Sequence, residues 1–207
     1  MALYDSFAST FSDSRRAHPW PEIDQVIDEI VPLGDISLLD VGCGNGRFLE
    51  ECEKRWYTLS SYLGIDNSSG MIDEARKLHP DRDFSVVPMS AMGSLRSSYD
   101  VIVFLASFHH LETVEERMRV LEATKSLLAP WGRIYMTNWN LLDQPRYVPS
   151  HTWDWDFQIK IWAYARYYHG FTLDELTSLF TSTGYSLIEH QIFSGGRNIF
   201  SQIRPTS

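Results

Sequence analysis

The order of apolar and polar positions predicts strands that alternate with helices through the middle of the chain. Short apolar runs, which are typical of buried strands, occur at residues 37–41, 62–65, 84–87, 100–105 and 133–138. Apolar residues spaced three or four apart, which predict helices, occur between them at residues 47–54, 67–78 and 114–128. Strands joined by short helical connections favour a parallel, doubly wound sheet, so we expect a Rossmann-like α/β fold.

The pattern changes at both ends of this core. Helical spacing of apolar residues over residues 3–11 and 20–30 predicts a helical cap formed by residues 1–34. Residues 139–171 are rich in Trp and Tyr without a clean period, and we expect an insertion that covers the active-site edge.

Beyond this insertion, a last helix and two more strands are predicted at residues 172–181, 185–191 and 198–203. They complete a mostly parallel, seven-stranded sheet whose last strand is antiparallel.

Composition narrows the class of protein. The 207 residues, 43% of them hydrophobic, suit a single well-buried domain over residues 1–207. A formal net charge of -9 excludes a sequence-wide basic field, so a nucleic-acid substrate would need a local basic patch or a partner protein. Cys43 and Cys52 lack metal-ligand neighbours and suit free thiols, so we expect no metal. No apolar run is long enough to span a membrane, and we expect a cytoplasmic protein.

Residues 38–50, LLDVGCGNGRFLE, carry the clearest chemical signal. A buried strand is followed by glycines at 42, 44 and 46 and then by the start of a helix. Such glycines permit positive φ and let a ligand lie against the backbone, so a nucleotide-like ligand is predicted.

Three ligand classes use such a turn. A phosphate-binding P-loop is excluded because no Gly-Lys-Ser/Thr follows. A dinucleotide is disfavoured because its third glycine stands three residues after the second, whereas Gly46 follows Gly44 by two. Asp66, which ends the second strand, fits ribose hydroxyls in either remaining class.

Residues 40–46, DVGCGNG, and 64–66, GID, closely resemble motif I and the acidic ribose site of class I S-adenosylmethionine-dependent methyltransferases. The resemblance implies that cofactor, with Asp40 near its methionine amino group and Asp66 at its ribose. Pro88 stands where the family has an acid for the adenine amino group, so that contact comes from Ser90, from backbone, or is not made at all. The cofactor-binding residues implied are Asp40, Gly42, Cys43, Gly44, Gly46, Asp66, Asn67, Met71, Met89, Ser90 and Leu105.

Three further segments are similar to the wobble-uridine tRNA methyltransferases, including the domain fused to AlkB-type oxygenases. They are residues 4–21, residues 166–176 beginning RYYHGF, and the closing GGRN at 195–198. The resemblance implies methyl esterification of a carboxymethyl group on the anticodon uridine. Departures are one extra residue between Arg15 and Pro19 and Ile199 in place of Trp.

A carboxylate acceptor is ionised at neutral pH, so it needs alignment and charge neutralisation rather than a strong base. Arginine suits that pairing, which makes Arg15, Arg16 and Arg166 candidates for binding the acceptor carboxylate. Of the two adjacent histidines, His109 is expected on the substrate side and His110 is expected to be structural. The expected catalytic residues are His109 and Arg166. The expected substrate-binding residues are Tyr4, Arg15, Arg16, His109, Trp139, Arg166, Tyr167, His169 and Asn198.

Plainer interpretations remain open for these residues. Arg15 and Arg16 would equally form surface salt bridges, and Tyr167 and Tyr168 would pack the insertion. Tryptophans at 139, 153, 155 and 162 line an acceptor pocket or belong to the core.

Three functions follow. The first is a tRNA-modifying methyltransferase, with a small activating protein as a possible partner that supplies positive surface. The second is a small-molecule O- or N-methyltransferase that uses the insertion as a lid. The third is a non-catalytic scaffold or activator that keeps the cofactor fold.

Overall fold

The computed structural model describes residues 20–152, 154–161, 164–193 and 195–206. Several expectations lie outside these residues: the helix at 3–11 and the candidates Tyr4, Arg15, Arg16, Trp153 and Trp162.

A seven-stranded sheet forms the centre of the molecule, in the order β3-β2-β1-β4-β5-β9-β8. Its strands are β1 Ser37–Val41, β2 Ser61–Asp66, β3 Asp83–Val86, β4 Tyr99–Leu105, β5 Leu128–Trp139, β8 Tyr185–Phe193 and β9 Asn198–Pro205. The first five pair in parallel, whereas β9 is antiparallel to both β5 and β8. The predicted mostly parallel sheet with an antiparallel last strand is confirmed.

Helices cover both faces of the sheet. They are α1 Pro21–Ile30, α2 Arg47–Lys54, α3 Ser69–Leu78, α4 Val114–Leu127 and α5 Leu173–Ser182. Three have side-chain N-caps, in which Ser68, Thr113 and Thr172 accept hydrogen bonds from backbone amides of the first turn. No described helix is long and apolar enough to cross a membrane.

Two apolar clusters form the core, one on each side of the sheet. The first packs Phe104 and Met136 beneath α4 and α5, and the second packs Leu38 and Val103 beneath α1, α2 and α3. Because β1 and β4 are covered on both faces, nearly all of their residues are buried and their sequences read as continuous apolar runs.

The segment after β5 is more regular than its sequence predicts. It contains an antiparallel hairpin, β6 Asp156–Ile161 and β7 Tyr164–His169. The polar-apolar alternation of β6, DFQIKI, is a strand signal, but the aromatic and charged residues of β7 hide the period. β5 also begins earlier than residue 133, because Leu128 already has an extended conformation with φ -85 and ψ 139.

Candidate active site

A cavity of about 320 Å³ opens where the carboxyl ends of β1, β2 and β4 meet. Open α/β sheets commonly bind ligands at this edge. Ten of the eleven expected cofactor residues line it: Asp40, Gly42, Cys43, Gly44, Asp66, Asn67, Met71, Met89, Ser90 and Leu105.

The glycine turn has left-handed backbone at Gly42, Gly44 and Gly46, with φ of 76°, 57° and 82°. A Cβ added at Gly42 would lie 2.4 Å from the Cβ of Ser107, so the turn and the loop after β4 touch directly. Gly46 does not line the cavity. A Cβ there would lie 2.9 Å from Cδ2 of His79, which indicates that this glycine permits packing behind the turn.

Asp66 organises the turn from the end of β2. Its Oδ2 accepts a hydrogen bond from the Gly44 amide at 3.0 Å, and its Oδ1 accepts one from the Ser68 amide at 2.9 Å. Burial raises the pKa of Asp66, although the two amides and the charge of Arg166 oppose that shift. The carboxylate is therefore held rigidly at the wall of the cavity.

Asp40 is a second carboxyl group at this wall, only 2% exposed. It accepts a hydrogen bond of 3.0 Å from the Tyr62 hydroxyl. Burial, with a contribution from the charge of Asp66, raises the pKa of Asp40 to about 7. Two buried acids in one cavity favour a cationic ligand. S-adenosylmethionine fits, because it carries an ammonium and a sulfonium group.

The segment after β3 lines the cavity next to Asp66, whose carbonyl accepts a hydrogen bond from the Val87 amide at 2.9 Å. Val87, Pro88, Met89 and Ser90 line it together with Met71. Met71 is 3% exposed, and its thioether side chain lies under the glycine turn. A flat apolar ring such as adenine suits these thioether and proline surfaces.

His109 lies at the end of the cavity that faces the insertion, and its side chain is buried. Its Nδ1 accepts a hydrogen bond from the Trp139 amide at 3.2 Å, so the neutral ring carries its proton on Nε2. His110 instead contacts the hairpin, where its Nδ1 bonds the Tyr167 carbonyl at 2.9 Å.

Stacked aromatic rings form the wall beside His109. Trp139 stacks on Tyr168 with centroids 4.9 Å apart, and Tyr147 stacks on the Trp139 ring at 5.9 Å. The Arg166 guanidinium lies 6.0 Å from the Tyr168 centroid and lines the cavity. The hairpin thus carries a cation and an aromatic platform to the cavity.

Tyr167 and His169 are not placed at this cavity, because successive residues of a strand point to opposite faces. The Tyr167 hydroxyl donates to Oδ1 of Asp156 at 2.6 Å. His169 bonds the same oxygen at 2.8 Å and Glu175 of α5 at 2.8 Å. These two residues fasten the hairpin to the helices behind it. Asn198 also lies away from the main cavity and lines a second, smaller one, where it donates to Glu22.

Several residues of the cavity wall were missed by the sequence analysis. They are Trp20, Asn45, Arg47, Ser107 and Tyr168, among others. The Arg47 guanidinium lies 4.3 Å from the centre of the Trp20 ring. Its position directly after the glycine turn was the available signal, since the first residue of that helix must lie at the cavity.

The chain is similar to known methyltransferases in sequence and in fold. Residues 14–190 match the family model described as methyltransferase domain. The tRNA (carboxymethyluridine(34)-5-O)-methyltransferase of Saccharomyces cerevisiae is 30% identical over 139 residues, which cover 67% of this chain and 47% of that protein. The chain therefore spans about half the length of that relative.

Two further matches extend over most of the chain. The protein of the same name from Schizosaccharomyces pombe is 26% identical over 216 residues, covering 91% of this chain and 89% of that protein. A crystal structure of an S-adenosylmethionine-dependent methyltransferase from Clostridium acetobutylicum superposes with a TM-score of 0.78 at 12% identity, over 100% of both chains. The structural match supports the fold alone.

Proposed function

This chain belongs to the methyltransferase domain family and is an S-adenosylmethionine-dependent methyltransferase, and we propose that it methylates the carboxylate of a carboxymethylated wobble uridine in tRNA. The relatives named above for that reaction support the acceptor. The observation that carries the proposal is the position of Arg166, whose guanidinium faces the cofactor cavity above an aromatic wall.

The cofactor supplies a methyl group on a positively charged sulfur. Asp66 and the Gly44 backbone would hold its ribose, Asp40 its ammonium group, and Met71 its adenine. We assign the part of the cavity beside His109 to the acceptor, with Arg166 between the two ligands, because its charge also acts on Asp66.

At that end, the guanidinium of Arg166 neutralises the acceptor carboxylate and aligns one oxygen with the methyl group. His109 does not act as a base through Nδ1, because that nitrogen already accepts from the Trp139 amide. Its ring is fully buried, so we assign His109 a positioning role, in which it supports the wall at the acceptor end. Trp139 and Tyr168 stack on each other and form a rigid aromatic wall beside this position.

We also propose that Tyr4, Arg15 and Arg16 bind the acceptor, since arginine suits a carboxylate and the segment that carries them resembles the wobble-uridine tRNA methyltransferases. We also propose a cytoplasmic location and a small activating protein partner. The net charge of -9 supports the partner, since tRNA binding depends on phosphate neutralisation.

Arg166 variants test the acceptor role. Arg166→Gln should reduce kcat/KM for tRNA about 100-fold, the effect of losing one bidentate charged contact, with Arg166→Lys intermediate. Cofactor affinity, measured by calorimetry, should fall much less than turnover, by less than about fivefold, because Arg166 acts on Asp66 only through its charge. Arg119→Gln is the matched control, because Arg119 is exposed on α4 and lines neither cavity. Equal loss of cofactor affinity and turnover in Arg166→Gln would place the residue in the cofactor site instead.

A small-molecule acid is the second candidate acceptor. The hairpin and its aromatic rings enclose the acceptor end, which favours a compact substrate. Labelled cofactor incubated with separate tRNA and metabolite fractions distinguishes the two, since label in the metabolites alone would favour this candidate.

A further inference from the structure

A second cavity of about 150 Å³ adjoins the first one. The two share Trp20, Ile23, Leu105, Ala106 and Trp139 as lining residues. A substrate whose reacting group lies beside His109 therefore has a direct path into the second cavity. Its additional walls come from four separate segments: α1, β5, the short helix Pro145–Ser150, and the turn that leads into β9.

Two arginines from different segments line this cavity, Arg146 and Arg197. Both are exposed, and among the residues that the structure describes no carboxylate forms an ion pair with either. The chain carries an excess of nine negative charges, whereas two guanidinium groups without an ion-pair partner among the described residues give the rim of this cavity a positive charge. Such a pair suits a phosphate group.

The backbone that carries Arg197 is fixed in place. Its carbonyl accepts hydrogen bonds from the Asn140 amide at 3.0 Å and from Nε2 of Gln144 at 3.1 Å. The neighbouring Gly196 carbonyl accepts from Nδ2 of Asn140 at 2.9 Å. The turn before β9 is thereby attached to the loop that leads to Arg146. The two arginines are held at one site without a ligand, which lowers the entropic cost of binding.

An aromatic ring lies between the arginines and the methyl-transfer site. The Arg146 guanidinium is 4.6 Å from the centroid of Tyr147, which stacks on Trp139 at 5.9 Å. The floor of the cavity is polar, because Glu22 accepts a hydrogen bond from Asn198 there and is 4% exposed. That carboxylate repels an anion from the floor and favours hydroxyl or amino donors, so the phosphate position is the rim.

We propose that the second cavity is a subsite for the nucleotide adjacent to the methylated one. Arg146 and Arg197 bind its phosphodiester at the rim, and its base lies against Tyr147. The Glu22 and Asn198 floor receives hydroxyl or amino groups of the same nucleotide. This subsite rests on the proposed RNA acceptor, and it explains how an acidic protein holds an RNA segment with a small number of cationic side chains.

Binding of short RNA to the full chain tests the subsite without requiring turnover. Fluorescence anisotropy of labelled UUU trinucleotide is measured with S-adenosylhomocysteine present, for wild type, Arg146→Gln/Arg197→Gln and the control Arg96→Gln/Arg119→Gln. The control removes the same two charges from exposed positions that line neither cavity. Unchanged melting temperature and S-adenosylhomocysteine affinity establish that each variant is folded.

The Arg146/Arg197 variant should bind the trinucleotide about tenfold more weakly, as expected for one lost charged contact, whereas the control changes less than about twofold. Its plot of log affinity against log salt should be shallower by about 0.7, the value for one single-strand phosphate. Lysine at both positions should restore most of the affinity. Equal losses in the two double variants, an unchanged salt slope, or complete competition by millimolar inorganic phosphate would overturn the subsite.

Methylation of 5-carboxymethyluridine nucleoside separates this proposal from the preceding one. Nucleoside methylation that the Arg146/Arg197 variant retains, together with its weaker trinucleotide binding, supports both proposals. Arginine-dependent RNA binding without any nucleoside or tRNA methylation retains the subsite and removes the carboxylate acceptor. Nucleoside methylation with arginine-independent RNA binding retains the acceptor and removes the subsite.

Discussion

Lowering the pH from about 8 to about 6 should weaken cofactor binding about tenfold through Asp40. A carboxyl group with a pKa near 7 is about ten percent ionised at about pH 6 and mostly ionised at about pH 8, and the affinity follows the ionised fraction. Asp40 is 2% exposed, and burial raises its pKa to about 7 while the Tyr62 hydroxyl and the charge of Asp66 act in opposite directions. A cationic cofactor prefers the ionised carboxylate. Binding at the lower pH must therefore release about one proton per cofactor.

The same shift has a defined effect on the ligand-free protein. A rise in pKa from 3.8 to about 7 corresponds to about 4 kcal/mol between the two protonation states. Because the folded-state pKa is raised, this contribution to the free energy of unfolding is fully present below about pH 4 and is lost as pH rises through 7. Bound cofactor should reverse the trend by stabilising the ionised form.

Calorimetry with S-adenosylhomocysteine in two buffers of different ionisation enthalpy measures both the affinity and the proton release. Asp40→Asn is the control. This variant should bind S-adenosylhomocysteine weakly, and its affinity should no longer show the part of the pH dependence that comes from Asp40. Tyr62→Phe removes the hydrogen bond that favours the carboxylate and should move the midpoint to higher pH. A pH slope that is identical in wild type and Asp40→Asn would refute the role assigned to Asp40.

Two further predictions concern the turn and the hairpin. Gly42→Ala should lower the free energy of unfolding by about 3 kcal/mol in urea titrations, because φ is 76° and the new Cβ would lie 2.4 Å from that of Ser107. A loss below about 1 kcal/mol would contradict this close contact. Asp156→Asn should raise KM for the acceptor several-fold with unchanged cofactor affinity, because it weakens the bonds to Tyr167 and His169 that hold the hairpin. Burial would raise the pKa of Asp156, but the bonds to Tyr167 and His169 outweigh it and lower that pKa. The wild-type protein should therefore lose the stabilisation from these bonds as pH falls. An unchanged KM in Asp156→Asn would show that these bonds do not position the hairpin.

The fold and the cofactor end were predictable because their signals are local in the sequence. β1 is a continuous apolar run that the parallel sheet buries on both faces, and the glycines of residues 42–46 follow it directly. Asp66 ends β2, which pairs with β1 in parallel, so its carboxylate necessarily lies beside the turn.

The acceptor end was less predictable because its geometry depends on contacts between distant segments. Tyr167 and His169 determine which face of β7 meets the cavity. They bond Asp156 and Glu175 on one face, so Arg166 lies on the other. From the sequence alone, Arg166, Tyr167 and His169 were all candidates for the acceptor site. The second cavity combines residues from both ends of the described chain, so no short sequence motif predicts it.

The identity of the methylated group decides whether the acceptor is the carboxylate of the wobble uridine. The protein is incubated with methyl-labelled S-adenosylmethionine and with tRNA that carries 5-carboxymethyluridine at the wobble position. The tRNA is then digested to nucleosides, which are separated and identified by mass spectrometry. We expect label in a methyl ester of that uridine, released as methanol by mild base and strongly reduced in Arg166→Gln. Label in a base-stable methyl group, or no label in tRNA while a small acid is methylated, would show that the wobble-uridine carboxylate is not the acceptor.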